Sequence, residues 1–184
     1  MTAAGFVART GWAVVVVVDR SQARPRVLHR DRIELVRDLP ANVYHRAVEL
    51  TLDEAEALVD AVRNEADAAA HAAVAGLIRV HGVTAVGVVT GGTRLPDSLA
   101  PILASHALVH AAEGELYRDA LIDAATDAGV AVHLTPTAAL DGDDLAPARE
   151  HLASLGRELG PPWRREQKDA ALAAVAALAH LPAA

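Results

Sequence analysis

Three segments near the start of the chain have the hydrophobic patterns of β-strands. Residues 4–9 (AGFVAR) can form a short strand, and residues 12–19 (WAVVVVVD) are a β-branched run with strong strand character. Residues 26–36 (RVLHRDRIELV) partly alternate between apolar and polar positions, as an edge strand does. Gly11 allows a tight turn between the first two strands, and residues 21–25 form a polar turn before the third. The pattern predicts an antiparallel three-stranded meander.

A long helix is predicted after this meander. Residues 52–81 have apolar positions at helical spacing, Thr51 and Glu54 have the spacing of a capping box, and Gly82 ends the pattern. The predicted buried stripe consists of Leu52, Ala55, Leu58, Val59, Val62, Ala66, Ala73 and Leu77. A short apolar segment, residues 84–90, follows and is typical of a buried parallel strand.

The rest of the chain alternates between helical and strand patterns. A helix is predicted over residues 97–129 and a strand over 130–135. The polar stretch 141–160 contains one weak helix at 145–155, and a final helix covers 163–180. The order is therefore β-β-β-α-β-α-β-α, in which helical connections imply that the later strands pair in parallel through right-handed crossovers.

Three polar residues fall on the apolar stripe of the second predicted helix. The stripe consists of Leu99, Ile102, Leu103, Tyr117, Ala120, Leu121 and Ala124. His106, His110 and Glu113 lie within it. A buried polar group without a partner costs roughly 1–3 kcal/mol, so we expect these three side chains either to be paired structurally or to bind a ligand.

The spacing of these residues supports several kinds of chemistry. His106 and His110 are four residues apart, so their rings stack on one helical face, and Glu113 adds a carboxylate one turn later. This H-x3-H-x2-E pattern can supply three ligands to a metal such as Zn²⁺, or it can pair a general base with an orienting carboxylate. The alternatives are His–Glu hydrogen bonds that only satisfy packed helices, and an interface with a second subunit.

A glycine-rich turn is a second candidate ligand site. Gly91, Gly92 and Thr93 follow a predicted parallel strand and precede a helix, where the backbone N–H groups of α/β proteins can hold an anion. The turn lacks P-loop spacing and has no following lysine. An ordinary turn is the alternative.

Three further residues are candidate ligand contacts. Tyr44 and His45 lie in a predicted loop, residues 37–50, which could fold over the edge of the sheet. Lys168 is the only lysine beside sixteen arginines. Codon bias in a GC-rich genome is the favoured explanation of this ratio, and the alternative is that an amine is required at this position. The alternative for the loop is an ordinary surface segment.

The charge and the amino-acid composition limit the partners and metal ligands expected for this chain. The net charge of -7 disfavours broad binding to nucleic-acid phosphates, although nucleic acid remains a candidate partner, and we expect the hairpin arginines to be solvated. These arginines are Arg24, Arg26, Arg30 and Arg32. Without cysteine, any metal must be held by His, Asp or Glu, and the candidate cofactor is a divalent metal. The sequence has no membrane-spanning run or signal-peptide pattern, so we expect a cytoplasmic protein without a membrane partner.

Two stretches and the element order resemble a known family. Residues 8–17 (ARTGWAVVVV) resemble the first turn and second strand of the RuvC-type Holliday-junction resolvases, and residues 167–175 (QKDAALAAV) resemble their last helix. The resemblance implies an α/β, ribonuclease H-like fold. In that fold three antiparallel strands are followed by α-β-α-β-α, which gives a mixed five-stranded sheet with helices on both faces.

The carboxylates that this family uses are largely missing. The resemblance implies acidic residues that hold two divalent metals, one in the first strand, one near Thr90 and a pair in the last helix. The first strand has no Asp or Glu, and Thr90 is not acidic. Asp169 fits one position of the pair, with Glu166 or Lys168 near the other. The usual nuclease site is therefore predicted to be degenerate.

We expect a single domain over residues 1–184 and, because small residues favour close helix packing, a homodimer. Three functions are compatible with the sequence. The first is a protein without two-metal chemistry that binds a metal or small anion around His106, His110 and Glu113. The second is a metal-dependent nuclease with rewired ligands, namely the same three residues and Asp169. The third is a non-enzymatic scaffold.

Overall fold

A five-stranded mixed sheet forms the centre of the protein. The computed structural model describes residues 1–20 and 24–181. The strands are β1 (Thr2–Arg9), β2 (Trp12–Asp19), β3 (Arg26–Glu34), β4 (Val83–Thr90) and β5 (Ala131–Pro136), in the order β3-β2-β1-β4-β5. The pairs β1–β2 and β2–β3 are antiparallel, whereas β1–β4 and β4–β5 are parallel. The predicted α/β architecture and the antiparallel meander are confirmed.

Helices cover both faces of this sheet. They are α1 (Val43–Ala47), α2 (Leu52–His81), α3 (Leu99–Leu103), α4 (His106–Asp127), α5 (Ala146–Ser154), α6 (Gly156–Leu159) and α7 (Arg165–Ala179). On one face α2 and α4 pack over Phe6 and Val88, and on the other α7 packs over Val7 and Val16. Alternate residues of β1 thus serve two separate cores, as the strand period of two requires.

The long helix α2 begins and ends as predicted. Thr51 and Glu54 form the capping box, and Gly82 ends the helix at φ 62°. The buried stripe is Ala55, Val59, Val62, Ala66, Ala70, Val74 and Leu77. Leu52 is 45% exposed, so it was wrongly assigned to the stripe, and Leu58 and Ala73 are only partly buried. Beyond Ala66, steps of four residues keep Ala70 and Val74 on the buried side.

Helix α7 lies very close to the sheet. Its alanines are buried against β1 and β4, directly over Gly5 and Gly87. The small residues therefore pack within the chain, which removes the packing argument for a homodimer and leaves that state a prediction.

The predicted helix over 97–129 is two helices, which corrects the sequence analysis. Helix α3 ends where the N–H groups of Ala104 and Ser105 bond to carbonyls of its own last turn. Ser105 then has an extended backbone, with φ -132°, before α4 begins. Serine is common at helix N-termini, so Ser105 is a signal that the hydrophobic pattern alone overlooked, although its side chain makes no capping hydrogen bond here.

Other parts of the chain also differ from the prediction. The expected loop 37–50 contains α1. The weak helix predicted at 145–155 is confirmed as α5, and a further short helix, α6, follows it. Arg30 is not solvated, because its guanidinium donates to the carbonyls of Gly160 (2.8 Å) and Pro162 (2.6 Å). Of the predicted turn 21–25, residues 21–23 lie outside the described residues. Among the helices described, none is long and apolar enough to cross a membrane.

Candidate functional site

Three histidines from two helices meet at the start of α4. His106 and His110 are on the first two turns of α4, and α1, packed on α2 and α4, supplies His45. One ring nitrogen of each histidine lies within 4.8 Å of those of the other two. The Nε2 atoms of His106 and His110 are 3.0 Å apart, and the ring centroids of His45 and His110 are 4.5 Å apart. We call His45, His106 and His110 the histidine cluster.

Glu113 lies behind this cluster rather than within it. Its side chain is only 6% exposed, and Oε1 accepts hydrogen bonds from the backbone N–H (3.2 Å) and Nδ1 (2.8 Å) of His45. A carboxylate on Nδ1 favours the tautomer in which Nε2 of His45 carries a free lone pair. The sequence analysis grouped Glu113 with His106 and His110, whereas in the structure Glu113 contacts His45. His45 is the third side chain that converges with His106 and His110.

The two helical histidines are exposed, which corrects their predicted burial. Because the helix is interrupted at Ser105, the apolar phase of α3 does not continue into α4, whose first buried positions are Val109 and Ala112. His106 and His110 project beside these positions and are exposed, whereas His45 is partly exposed and Glu113 is buried. The imidazoles thus lie at the surface, where a ligand from solvent can reach them.

Two buried tyrosines hold α1 in place against α4. The hydroxyl of Tyr117 donates to the carbonyl of Ala41, immediately before α1. Burial is the main reason that the pKa values of Tyr44 and Tyr117 are raised, with the Glu113 carboxylate contributing at Tyr117. Both phenols therefore stay protonated at neutral pH. Tyr117 thus holds the chain just before α1, and Glu113 bonds to His45 within α1.

The donor set fits a transition-metal ion. Zn²⁺ binds imidazole nitrogens at about 2.0–2.1 Å, and catalytic sites use three protein ligands with a fourth position open to water. Tetrahedral geometry at that radius places ligand nitrogens about 3.3 Å apart. The 3.0 Å separation of His106 and His110 is close to this value, and the carboxylate on His45 is the arrangement that orients metal-bound histidines.

The positions that the resolvase resemblance assigns to carboxylates are occupied differently. Strand β1 contains no acidic residue, and its last residue, Arg9, pairs with Glu166 at 3.5 Å. Asp169 pairs with Arg165 at 3.4 Å. Both acids are on α7, across the sheet from the histidine cluster. Within residues 1–20 and 24–181, no other three His, Asp or Glu side chains bring ligand atoms this close together.

The other candidate contacts do not join the cluster. Gly91, Gly92 and Thr93 form an exposed turn after β4. The guanidinium of Arg118, which lies beside Gly91, pairs with Glu115. Tyr44 is buried at 5% exposure. Lys168 is half-buried on α7, on the opposite side of the sheet from His45. The structure therefore unites His45, which the sequence analysis assigned only to a loop, with His106 and His110.

Asp169→Asn is expected to stabilise the protein more at pH 7 than at pH 4. Burial is the largest influence on Asp169 and raises the pKa of its carboxyl group, although Arg165 opposes it. A carboxyl group whose pKa is higher in the folded chain destabilises the fold as the pH rises from about 3.9 to that folded value. The gain at pH 7 should be at most about 1 kcal/mol, because the exposed Arg165 pair is lost too. Urea denaturation at both pH values measures it, and equal shifts at both would contradict the prediction.

The protein has an α/β fold of the ribonuclease H-like kind. Two solved structures of RuvC from Thermus thermophilus are similar to it. One, described as RuvC in complex with Holliday junction substrate, has a TM-score of 0.60 and 20% sequence identity, over 95% of this chain and 90% of that chain. The other has a TM-score of 0.53 and 20% identity, over 95% and 92%. No protein-family model matches the sequence. No curated protein matches it either.

The expectation of a RuvC-like, ribonuclease H-like fold is thus confirmed. At 20% identity the similarity extends to the fold. The role of the histidine cluster is inferred from the geometry of the cluster itself.

Proposed function

We propose that this protein is a ribonuclease H-like domain that binds a single transition-metal ion, Zn²⁺ in the first instance, at His45, His106 and His110. The observation that carries the proposal is the convergence of three ring nitrogens within 4.8 Å, with a buried carboxylate bonded to one of the rings. Exposed histidines brought together by chance have no reason to include such a carboxylate.

The ligand chemistry favours zinc over magnesium. Mg²⁺ and Ca²⁺ prefer oxygen ligands, whereas imidazole suits Zn²⁺, Cu²⁺ and Ni²⁺. When bound, such an ion would act as a Lewis acid and lower the pKa of a water in its open position. The cluster itself contains no carboxylate that could bridge two ions, so the proposal involves one metal and not the paired ions of the resolvase family.

A nuclease with rewired ligands is the second candidate function. The similarity to a RuvC bound to a Holliday junction supports it. The net charge of -7 and the pairing of Asp169 with Arg165 on the other face of the sheet weigh against it. This candidate requires cleavage of branched or single-stranded DNA with Mg²⁺ or Mn²⁺ and loss of cleavage in Asp169→Ala. A scaffold function requires neither cleavage nor metal.

Metal content tests the proposal directly. Untagged protein, incubated with Zn²⁺ and then dialysed, should retain about one equivalent by mass spectrometry. The double variant His106→Ala/His110→Ala should retain none. The control is His71→Ala, because His71 is exposed on α2 and pairs with Asp127 outside the cluster. No zinc in the wild-type protein, or equal zinc in the double variant, would refute the proposal.

The proposal also covers the domain organisation, the oligomeric state and the location of the protein. We propose that the protein is a single domain, is cytoplasmic and forms a homodimer. The sequence, which contains no membrane-spanning run, supports the location, whereas the buried alanines of α7 lend the dimer no support. Sedimentation with and without Zn²⁺ tests the dimer. It also shows whether the exposed histidines of two copies share an ion.

A further inference from the structure

A large cavity lies on the other face of the sheet from the histidine cluster. Its volume is about 880 Å³, within the usual range of small-molecule sites. Strand β5 forms one wall, α5 and the short 3-10 turn Asp143–Leu145 form another, and the last turns of α7 form a third. Leu145, Val175 and Leu178 give the cavity an apolar interior.

An unpaired hydroxyl lies in the wall of this cavity. Thr135 is 2% exposed, and its Oγ1 has no hydrogen-bond partner in the described structure. Leaving a buried polar group unpaired costs roughly 1–3 kcal/mol, and native proteins keep few such groups. Thr135 lines the cavity but its Oγ1 is covered, so a small movement of the wall would let the polar group of a ligand bond to it and remove this cost.

Two stacked imidazoles form the neighbouring part of the wall. The rings of His133 and His180 are 3.8 Å apart, and His180 Nδ1 donates to the carbonyl of Ala176 at 2.8 Å. Burial and the proximity of His180 lower the pKa of His133, so this ring is neutral at physiological pH. The interior is therefore apolar or neutral, with hydrogen-bonding groups at fixed positions.

Charges of both signs also line the cavity. Arg20 and Arg24 contribute two guanidinium groups, and Asp144 and Glu150 contribute two carboxylates. No ion pair involves any of these four side chains among the residues described. The charges sum to zero, and both signs are available to a ligand.

We propose that this cavity binds a small zwitterionic amphiphile, whose apolar body lies against Val175 and Leu178, whose polar group bonds to Thr135, and whose two charges meet the arginines and the carboxylates. The four charged side chains are exposed at the rim of the cavity, where the arginines can pair with the negative group of such a ligand and the carboxylates with its positive group. The site is separate from the histidine cluster, so it does not depend on the proposed metal.

Three probes that share one phenyl body test the charge requirement. They are L-phenylalanine, a zwitterion, 3-phenylpropanoate, an anion, and phenethylamine, a cation. Calorimetric titration and Tm measurements should show saturable binding of L-phenylalanine and at least tenfold weaker binding of the other two. Equal or tighter binding of the anion or the cation would overturn the zwitterion assignment. No saturable binding of any probe would overturn the site.

Thr135→Val tests the hydroxyl because valine has nearly the same shape. The free variant should have a higher Tm than the wild-type protein, since an unpaired buried hydroxyl is removed, and it should bind L-phenylalanine at least fivefold more weakly. His110→Ala is the matched control and should bind L-phenylalanine as the wild-type protein does. Unchanged affinity in Thr135→Val, or loss of binding in His110→Ala, would contradict the proposal.

Discussion

Replacing Glu113 with glutamine is expected to leave the protein folded and to lower its affinity for Zn²⁺ by about 10–100-fold. Glutamine has the shape of glutamate, but its amide carries no negative charge with which to orient the His45 ring. Glu113 Oε1 now accepts two hydrogen bonds from His45, one from the backbone and one from Nδ1. Removing the charge weakens the hold on the tautomer whose Nε2 can bind a metal.

A competition titration with a chromogenic zinc chelator measures this affinity. Glu115→Gln is the matched control, because Glu115 is two residues away on the same helix and pairs with Arg118 instead of a histidine. Its zinc affinity should equal that of the wild-type protein. If Glu113→Gln also bound zinc at wild-type affinity, Glu113 would have a packing role only.

Gly87→Ala is expected to destabilise the protein by about 3 kcal/mol or more, at or above the usual range for overpacking. A Cβ atom at Gly87 would lie 2.1 Å from the carbonyl oxygen of Ala173 in α7. A Cβ at Gly5 would lie 1.8 Å from the carbonyl oxygen of Ala170, so Gly5→Ala should be equally damaging. Backbone atoms cannot rotate aside as a flexible side chain can, so α7 would have to move away from the sheet. Such a loss is a large part of the 5–15 kcal/mol that stabilises a typical domain.

Urea denaturation of the variants measures this effect. The control is Gly76→Ala in α2, where an added Cβ would meet nothing within 4 Å. Alanine is the better helix former, so this variant should gain about 0.5–1 kcal/mol. A loss below about 1 kcal/mol in Gly87→Ala would show that α7 can shift on the sheet at little cost.

The packing of α7 explains how the fold can be kept without the metal-binding carboxylates that the resolvase resemblance implies. Gly5 and Gly87 are on adjacent parallel strands, paired in register, and α7 contacts both. This contact holds the last helix beside β1 whether or not the nearby side chains bind metal. The fold can therefore persist without an acidic residue in β1 and with Glu166 paired to Arg9.

The sequence predicted those features that depend on neighbouring residues. The valine run of β2, the capping box at Thr51 and the left-handed Gly82 specify their elements locally, and each was predicted at the observed position. The element order also predicted the α/β fold, because crossover connections between parallel strands have one preferred hand. The spacing of His106 and His110 placed two imidazoles together because four residues make about one helical turn.

Only the tertiary structure determined how the site is assembled. His45 and Glu113 are 68 residues apart, and no periodic pattern relates them. Their contact depends on the packing of α1 against α4. The interruption at Ser105 leaves His106 and His110 exposed. Short-range geometry in the sequence therefore determined most of the elements and the proximity of His106 and His110. Long-range packing brought His45 to these two histidines and made Glu113 the hydrogen-bond partner of His45.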